Sequence, residues 1–201
     1  ILFGENYDES YLEAQRLSKE RDLSFIHPFN DPDVIAGQGT IGLEILKEQD
    51  RMDAVFIAVG GGGLIAGVGS YIKEFCHECE IIACSPENSA AMHHALQMGK
   101  IEQIQHQETL SDGTAGALED GSITFDYCQS VVDRSILVSE SEIQNSMKAF
   151  IDQHQMLIEG AAGVALAAFE SVKEEYKDKK VTILLCGGNI ANKTLLKVLQ
   201  S

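Results

Sequence analysis

Positive charge is scarce in this sequence. Lys and Arg together number 15 against 31 Asp and Glu, so the chain carries a net charge of -16 at pH 7. Such a chain repels polyanions, which excludes nucleic acid and anionic membrane surfaces as general partners. The one basic cluster, Lys177, Lys179 and Lys180 in "EEYKDKK", mixes with acids and reads as a solvated helix end and turn. Long apolar runs are lacking too. Nothing approaches a membrane span, and no signal peptide opens the chain. The five cysteines are odd in number and irregularly spaced, which fits a reduced, cytoplasmic protein better than a disulfide scaffold. There are no repeats, low-complexity tracts or linkers. An initiator Met is missing as well: the chain opens inside an apolar run, "ILF", and is expected to be the remainder of something longer.

What is present describes a globular protein with a real core, at 44% hydrophobic and 23% charged residues over 201 positions. Strand-like runs fall at Ile1–Phe3, Leu23–Phe29, Ala54–Val59, Glu80–Ser85, Ser135–Ser139 and Val181–Cys186. Several are apolar without alternation, as parallel strands buried on both faces should be. Helical patterns lie between them. Asp8 can cap "ESYLEAQRLSKER", and "SESE" (Ser139–Glu142) spells a capping box that opens a helix through Gln153. Helices are also expected over Ala161–Tyr176 and Ala191–Leu199. This alternation predicts an α/β fold in three layers around a mostly parallel sheet.

The stretch "AVFIAVGGGGLIAGVGSYIKEF" (Ala54–Phe75) runs from a strand into four glycines and then directly into a helix. Glycines let backbone N–H groups approach an oxyanion closely, and the helix N-terminus adds its positive dipole end. Phosphate is therefore the expected ligand, with a tight turn needing positive φ as the plainer alternative. A nucleotide P-loop is ruled out because Leu64 and Ile65 stand where Lys and Ser/Thr are required. The dinucleotide fingerprint G-x-G-x-x-A is met by Gly61, Gly63 and Ala66. Its acidic partner should fall near Ser85, and the nearest carboxylate beyond that is Glu87. Dinucleotide binding remains open on these residues.

A second glycine motif closes another apolar run, "VTILLCGGN" (Val181–Asn189). Together with "HPFNDPDVIAGQGTIGLEIL" (His27–Leu46), "SDGTAG" (Ser111–Gly116) and "IEGAAGVALAA" (Ile158–Ala168), it resembles the threonine dehydratase and serine racemase family. These are fold-type-II enzymes that use pyridoxal 5'-phosphate (PLP). The resemblance runs in order along essentially the whole chain. It implies that Gly60, Gly61, Gly62 and Gly63, with the amide of Leu64, cradle the cofactor phosphate. It also implies that Cys186 hydrogen-bonds the pyridine nitrogen, that Gly113 passes close to the ring hydroxyl, and that Glu159 lies near the cofactor. Gly187 and Asn189 belong to the turn that supports Cys186. A thiol is a weak donor with an ordinary pKa of about 8.5, suited to β-elimination of a hydroxyl from L-serine or L-threonine to give a 2-oxo acid and ammonia.

Two family features have no counterpart. The Schiff-base lysine and the substrate-carboxylate loop that follows it are not matched: Lys19 and Lys47 sit in polar helical contexts. Both features are expected upstream of Ile1, so this chain alone should be inactive. Residues 1–24 would then be the last strand and helix of the small domain, and 25–201 the C-terminal part of the PLP-binding large domain. The divalent-cation site of some members is expected to be absent, since Ser85 and Ala91 replace its acids. "CHEC" (Cys76–Cys79) lacks the second ligand pair of a zinc site, and His93 and His94 read as parts of a short amphipathic helix. No regulatory domain is expected after Ser201. The full-length protein is expected to form a homo-oligomer, dimer or tetramer, acting on a small amino acid. A racemase of the same family, or a non-catalytic dinucleotide- or phosphate-binding module, is the alternative.

Overall fold

The computed structural model describes residues 1–4, 7–49 and 51–200. Glu5, Asn6, Asp50 and Ser201, which fall within the expected domains, lie outside the described residues. Helix α1 (Tyr7–Arg21) leads to α2 (Pro32–Glu48), β1 (Ala54–Ala58), α3 (Gly63–Phe75), β2 (Glu80–Pro86) and α4 (Ala91–Met98). A short 3-10 turn at Asp112–Thr114 precedes α5 (Ile123–Val131), β3 (Arg134–Val138), α6 (Glu140–His154) and α7 (Gly160–Val172). A second such turn (Lys173–Tyr176), β4 (Val181–Ile183) and α8 (Asn192–Leu199) follow.

The four strands form one parallel sheet in the order β3-β2-β1-β4. Central β1 is buried at every position, which explains its lack of alternation. Val55, Ile57 and Val59 face one core, with Ile65, Val68 and Ile72 of α3 and Phe125 and Cys128 of α5. Ala54, Phe56 and Ala58 face the other, with Ile143 and Met147 of α6 and the alanine-rich α7. Two apolar layers on a sheet with helices outside both give the expected three-layer α/β fold.

Local chemistry sets the helix starts. Asp31 caps α2 by accepting from the amides of Asp33 (2.8 Å) and Val34 (3.2 Å), with Pro32 in the first turn. Ser139 caps α6: Glu142 Oε2 accepts from the Ser139 amide at 2.7 Å, completing the capping box. Asp8, expected to cap α1, instead lies in its first turn, where a carboxylate still favours the positive helix end.

Two expected strands are corrected. Ile1–Phe3 and Leu23–Phe29 are not strands, and Ile1, Leu2, Phe3, Leu23 and Ile26 are exposed. Apolar composition makes a strand only where a neighbour pairs with it. Within Leu23–Phe29 the local bonds point elsewhere: His27 Nδ1 accepts from the amides of Phe29 (3.2 Å) and Asn30 (2.8 Å). The last strand is also shorter than expected. Its pairing extends to the Leu184 amide, which donates to Phe56 O at 3.0 Å. Cys186 lies beyond that point and is exposed, not at the tip of a buried strand. Among the described residues, no helix is long and apolar enough to cross a membrane.

Candidate functional site

In parallel α/β sheets, ligands gather beyond the carboxyl ends of the strands. Here a cavity of about 930 Å³ opens there, beyond β1 and β4. The chain leaving β1 supplies Gly60, Gly61, Gly62, Gly63 and Leu64 to its wall; the chain leaving β4 supplies Leu185, Cys186 and Gly187. Gly113 and Glu159 complete the lining among the residues singled out in the sequence. Asn189 does not line it. Its amide instead donates to Glu159 Oε2 at 3.2 Å, from behind the wall.

The glycine loop serves two purposes at once. Gly62 has φ +88°, a left-handed backbone that a side chain would strain. A Cβ on Gly61 would sit 2.5 Å from the ring of Phe29. So one glycine is needed for the turn and its neighbour for a close approach. α3 starts at once after the loop: the first helical bond runs from the Ala66 amide to Gly62 O at 2.9 Å. The amides of Gly63, Leu64 and Ile65 come before that bond, in the turn where helix N–H groups have no intrahelical acceptor. A second helix, α7, also begins at the cavity, where Glu159 is its N-cap residue and Ala161 part of the lining.

Glu159 ties this helix start to the chain after β4. Its amide donates to Gly187 O at 3.1 Å, and its carboxylate accepts from Asn189. Cys186 lines the cavity and is exposed as a residue. Desolvation of its thiol, with the Glu159 carboxylate as the second cause, pushes its pKa up to about 11. At neutral pH the group is a protonated thiol, able to donate weakly and poor as a nucleophile.

Several residues at the site carry no signal in the sequence strong enough to assign them. Phe29 lies inside the "HPFND" run, and its ring covers the glycine loop because His27 fixes the local chain. His27 Nε2 is 2.8 Å from Glu119 Oε1, and Asn30 Oδ1 accepts from the Ile123 amide at 2.8 Å. Tyr7 also lines the cavity, stacked on Tyr11, with its hydroxyl buried and without a partner among the described residues. Thr114 packs its backbone against Gly60. Each depends on long-range packing that a local pattern does not encode. Among the described residues, no group of three or more His, Cys, Asp or Glu could hold a metal ion.

The arrangement suits a phosphate-bearing aromatic ligand. Its lining brings together the amides of a helix start, a neutral thiol and a carboxylate. Comparison with known proteins points the same way. L-threonine ammonia-lyase of Thermotoga maritima is 41% identical over 190 residues, which cover 94% of this chain and 47% of that protein. The Geobacter sulfurreducens protein of the same name is 40% identical over 200 residues, covering 100% of this chain and 50% of the relative. The chain thus spans about half the length of the curated relatives it matches. Among solved structures, the processed form of threonine deaminase isoform 2 from Solanum lycopersicum superposes with a TM-score of 0.91 at 36% identity. That match covers 100% of this chain and 59% of the other. Maize serine racemase superposes with a TM-score of 0.87 at 27% identity, covering 100% of this chain and 63% of its own. The family model of pyridoxal-phosphate dependent enzymes matches residues 1–187, and the chain belongs to that family.

Proposed function

We propose that this chain is the C-terminal part of a PLP-dependent ammonia-lyase that converts L-threonine or L-serine to a 2-oxo acid and ammonia. The observation that carries the reading is one cavity lined by the glycine loop, Cys186 and Glu159 together. PLP, when bound, supplies the electron sink for a negative charge developing beside the substrate amino group. The residues of this chain hold and orient it. The amides of the loop and the first turn of α3 would receive the phosphate, and the Cys186 thiol would donate to the ring nitrogen. Glu159 keeps the 187–189 turn in place. A neutral thiol there would not force a proton onto the ring nitrogen, which suits loss of a β-hydroxyl.

In this reading residues 1–24 end a small domain and residues 25–201 form the C-terminal part of the large one. The Schiff-base lysine lies in the segment upstream, and so do the groups that choose between threonine and serine. The relatives at 40% and 41% identity carry the ammonia-lyase name, which supports elimination over racemisation. The test is made on the full-length protein: 2-oxo acid release is followed with L-threonine and L-serine, and D-serine is measured alongside. Oxo acid formation that needs added PLP is expected. D-serine without oxo acid would replace the lyase by a racemase, and no turnover with stoichiometric PLP binding would leave only a binding module.

A further inference from the structure

The carbonyl side of the glycine loop is tied down. Thr124, fully buried in the first turn of α5, lies with its hydroxyl oxygen 2.7 Å from Gly61 O and donates to it. One peptide further on, Cys128 Sγ stands 3.9 Å from Gly62 O. Thr124 Oγ1 is also 2.8 Å from Ser122 Oγ. A hydroxyl has one proton, and a carbonyl can only accept. The Thr124 proton is therefore committed to Gly61, and Ser122 must donate to Thr124. The result is a directed chain, Ser122 to Thr124 to Gly61, built from buried hydroxyls.

A trans peptide unit is planar, with its C=O and N–H on opposite sides. Pinning the Gly61 carbonyl toward α5 turns the Gly62 amide away from α5. Gly61 and Gly62 line the cavity and Thr124 does not. Glycine adopts positive and negative φ with similar ease, so the loop's own backbone does little to fix which way this peptide faces. The hydroxyl on α5 supplies that restraint.

We propose that Thr124 is a positioning residue for anion binding: by holding the Gly61 carbonyl, it presents the Gly62 amide to the phosphate of the ligand. This rests on the phosphate reading of the loop given above. A buried threonine that served only the packing of α5 would have no preference for a phosphate-bearing ligand, and that difference is measurable.

Equilibrium dialysis of the full-length apoprotein against PLP and against pyridoxal, which lacks the phosphate, gives two affinities and their ratio. Thr124→Val keeps the shape and removes the hydroxyl. Losing one neutral hydrogen bond predicts about a three- to tenfold loss of PLP affinity with pyridoxal affinity unchanged. Thr124→Ser keeps the hydroxyl and should retain the wild-type ratio. The inference is overturned if Thr124→Val weakens both ligands equally, or if Thr124→Ser loses as much of the ratio as Thr124→Val does. Thr124→Ala, read against Thr124→Ser in the same way, serves if the Val variant does not fold. The wild type separates the two levels of the reading. A wild-type protein that binds PLP no better than pyridoxal refutes the phosphate reading itself; one that prefers PLP, with the preference intact in Thr124→Val, refutes only the role of Thr124.

Discussion

The carboxylate of Glu159 occupies the space that a side chain at Gly187 would need. A Cβ built on Gly187 would overlap the carboxyl carbon of Glu159 and both of its oxygens. The two residues are also joined by the bond from the Glu159 amide to Gly187 O at 3.1 Å. The start of α7 and the chain after β4 are thereby locked in one register, beside the Cys186 thiol. This contact explains the glycine without any appeal to its backbone freedom.

Gly187→Ala should therefore act through Glu159. The new methyl must push the carboxylate off the Asn189 amide, leaving that group without its 3.2 Å acceptor. Overpacking of this kind costs about 1–3 kcal/mol. The melting temperature should fall in proportion, and PLP affinity should fall with it as the 186–189 turn shifts. An alanine variant with unchanged melting temperature and PLP affinity would show that the carboxylate has room to move.

Gly62→Ala tests the glycine loop of the same cavity. The added methyl meets a left-handed backbone at φ +88° and stands 2.6 Å from Met92 Cε. Replacing glycine where φ is positive destabilises by more than the ~0.4–1 kcal/mol that the swap would yield at a compatible site. Met92 is flexible and can retreat, whereas the backbone cannot change hand without turning the Gly61–Gly62 peptide. The expected result is a lower midpoint in urea together with weaker phosphate binding. Equal stability and binding would mean that the loop accommodates another conformation.

Much of this was legible in the sequence, for reasons that differ between elements. β1 and β2 show as unbroken apolar runs because both faces of a central parallel strand meet a core, as Val55 and Phe56 do on opposite sides. The Ser139 cap of α6 is visible because a capping box is complete within four residues. The residues on the cavity wall were legible through a resemblance that spans the chain. Leu23–Phe29 misled because its composition suits a strand, while pairing, which composition does not encode, is absent there among the described residues. Thr124 and Phe29 stayed hidden for a related reason. Gly61, which both of them touch, lies 63 residues from Thr124 in the chain and outside any local pattern around Phe29.

Cys186 is where chemistry and geometry meet most directly. Packing around the sulfur, and then the Glu159 carboxylate, push the thiol pKa up to about 11. A raised pKa means less thiolate at any given pH below it. At pH 8 only about one thiol in a thousand is then ionised, roughly a hundredfold or more below an unperturbed cysteine. Alkylation of Cys186 by iodoacetamide in the full-length apoprotein, mapped by mass spectrometry, should accordingly be slow at pH 8 despite the residue's exposure. The rate should climb tenfold per pH unit and level off only near pH 11. The same protonated thiol predicts the mutational pattern. If Cys186 holds the ring nitrogen as proposed, Cys186→Ser would keep a donor there and should retain most activity. Cys186→Ala loses one neutral hydrogen bond, roughly 0.5–1.5 kcal/mol, and should slow turnover by about tenfold or less. Fast labelling at neutral pH, or a loss of several orders of magnitude in the Ser variant, would instead make Cys186 a thiolate that takes part in the bond-breaking steps.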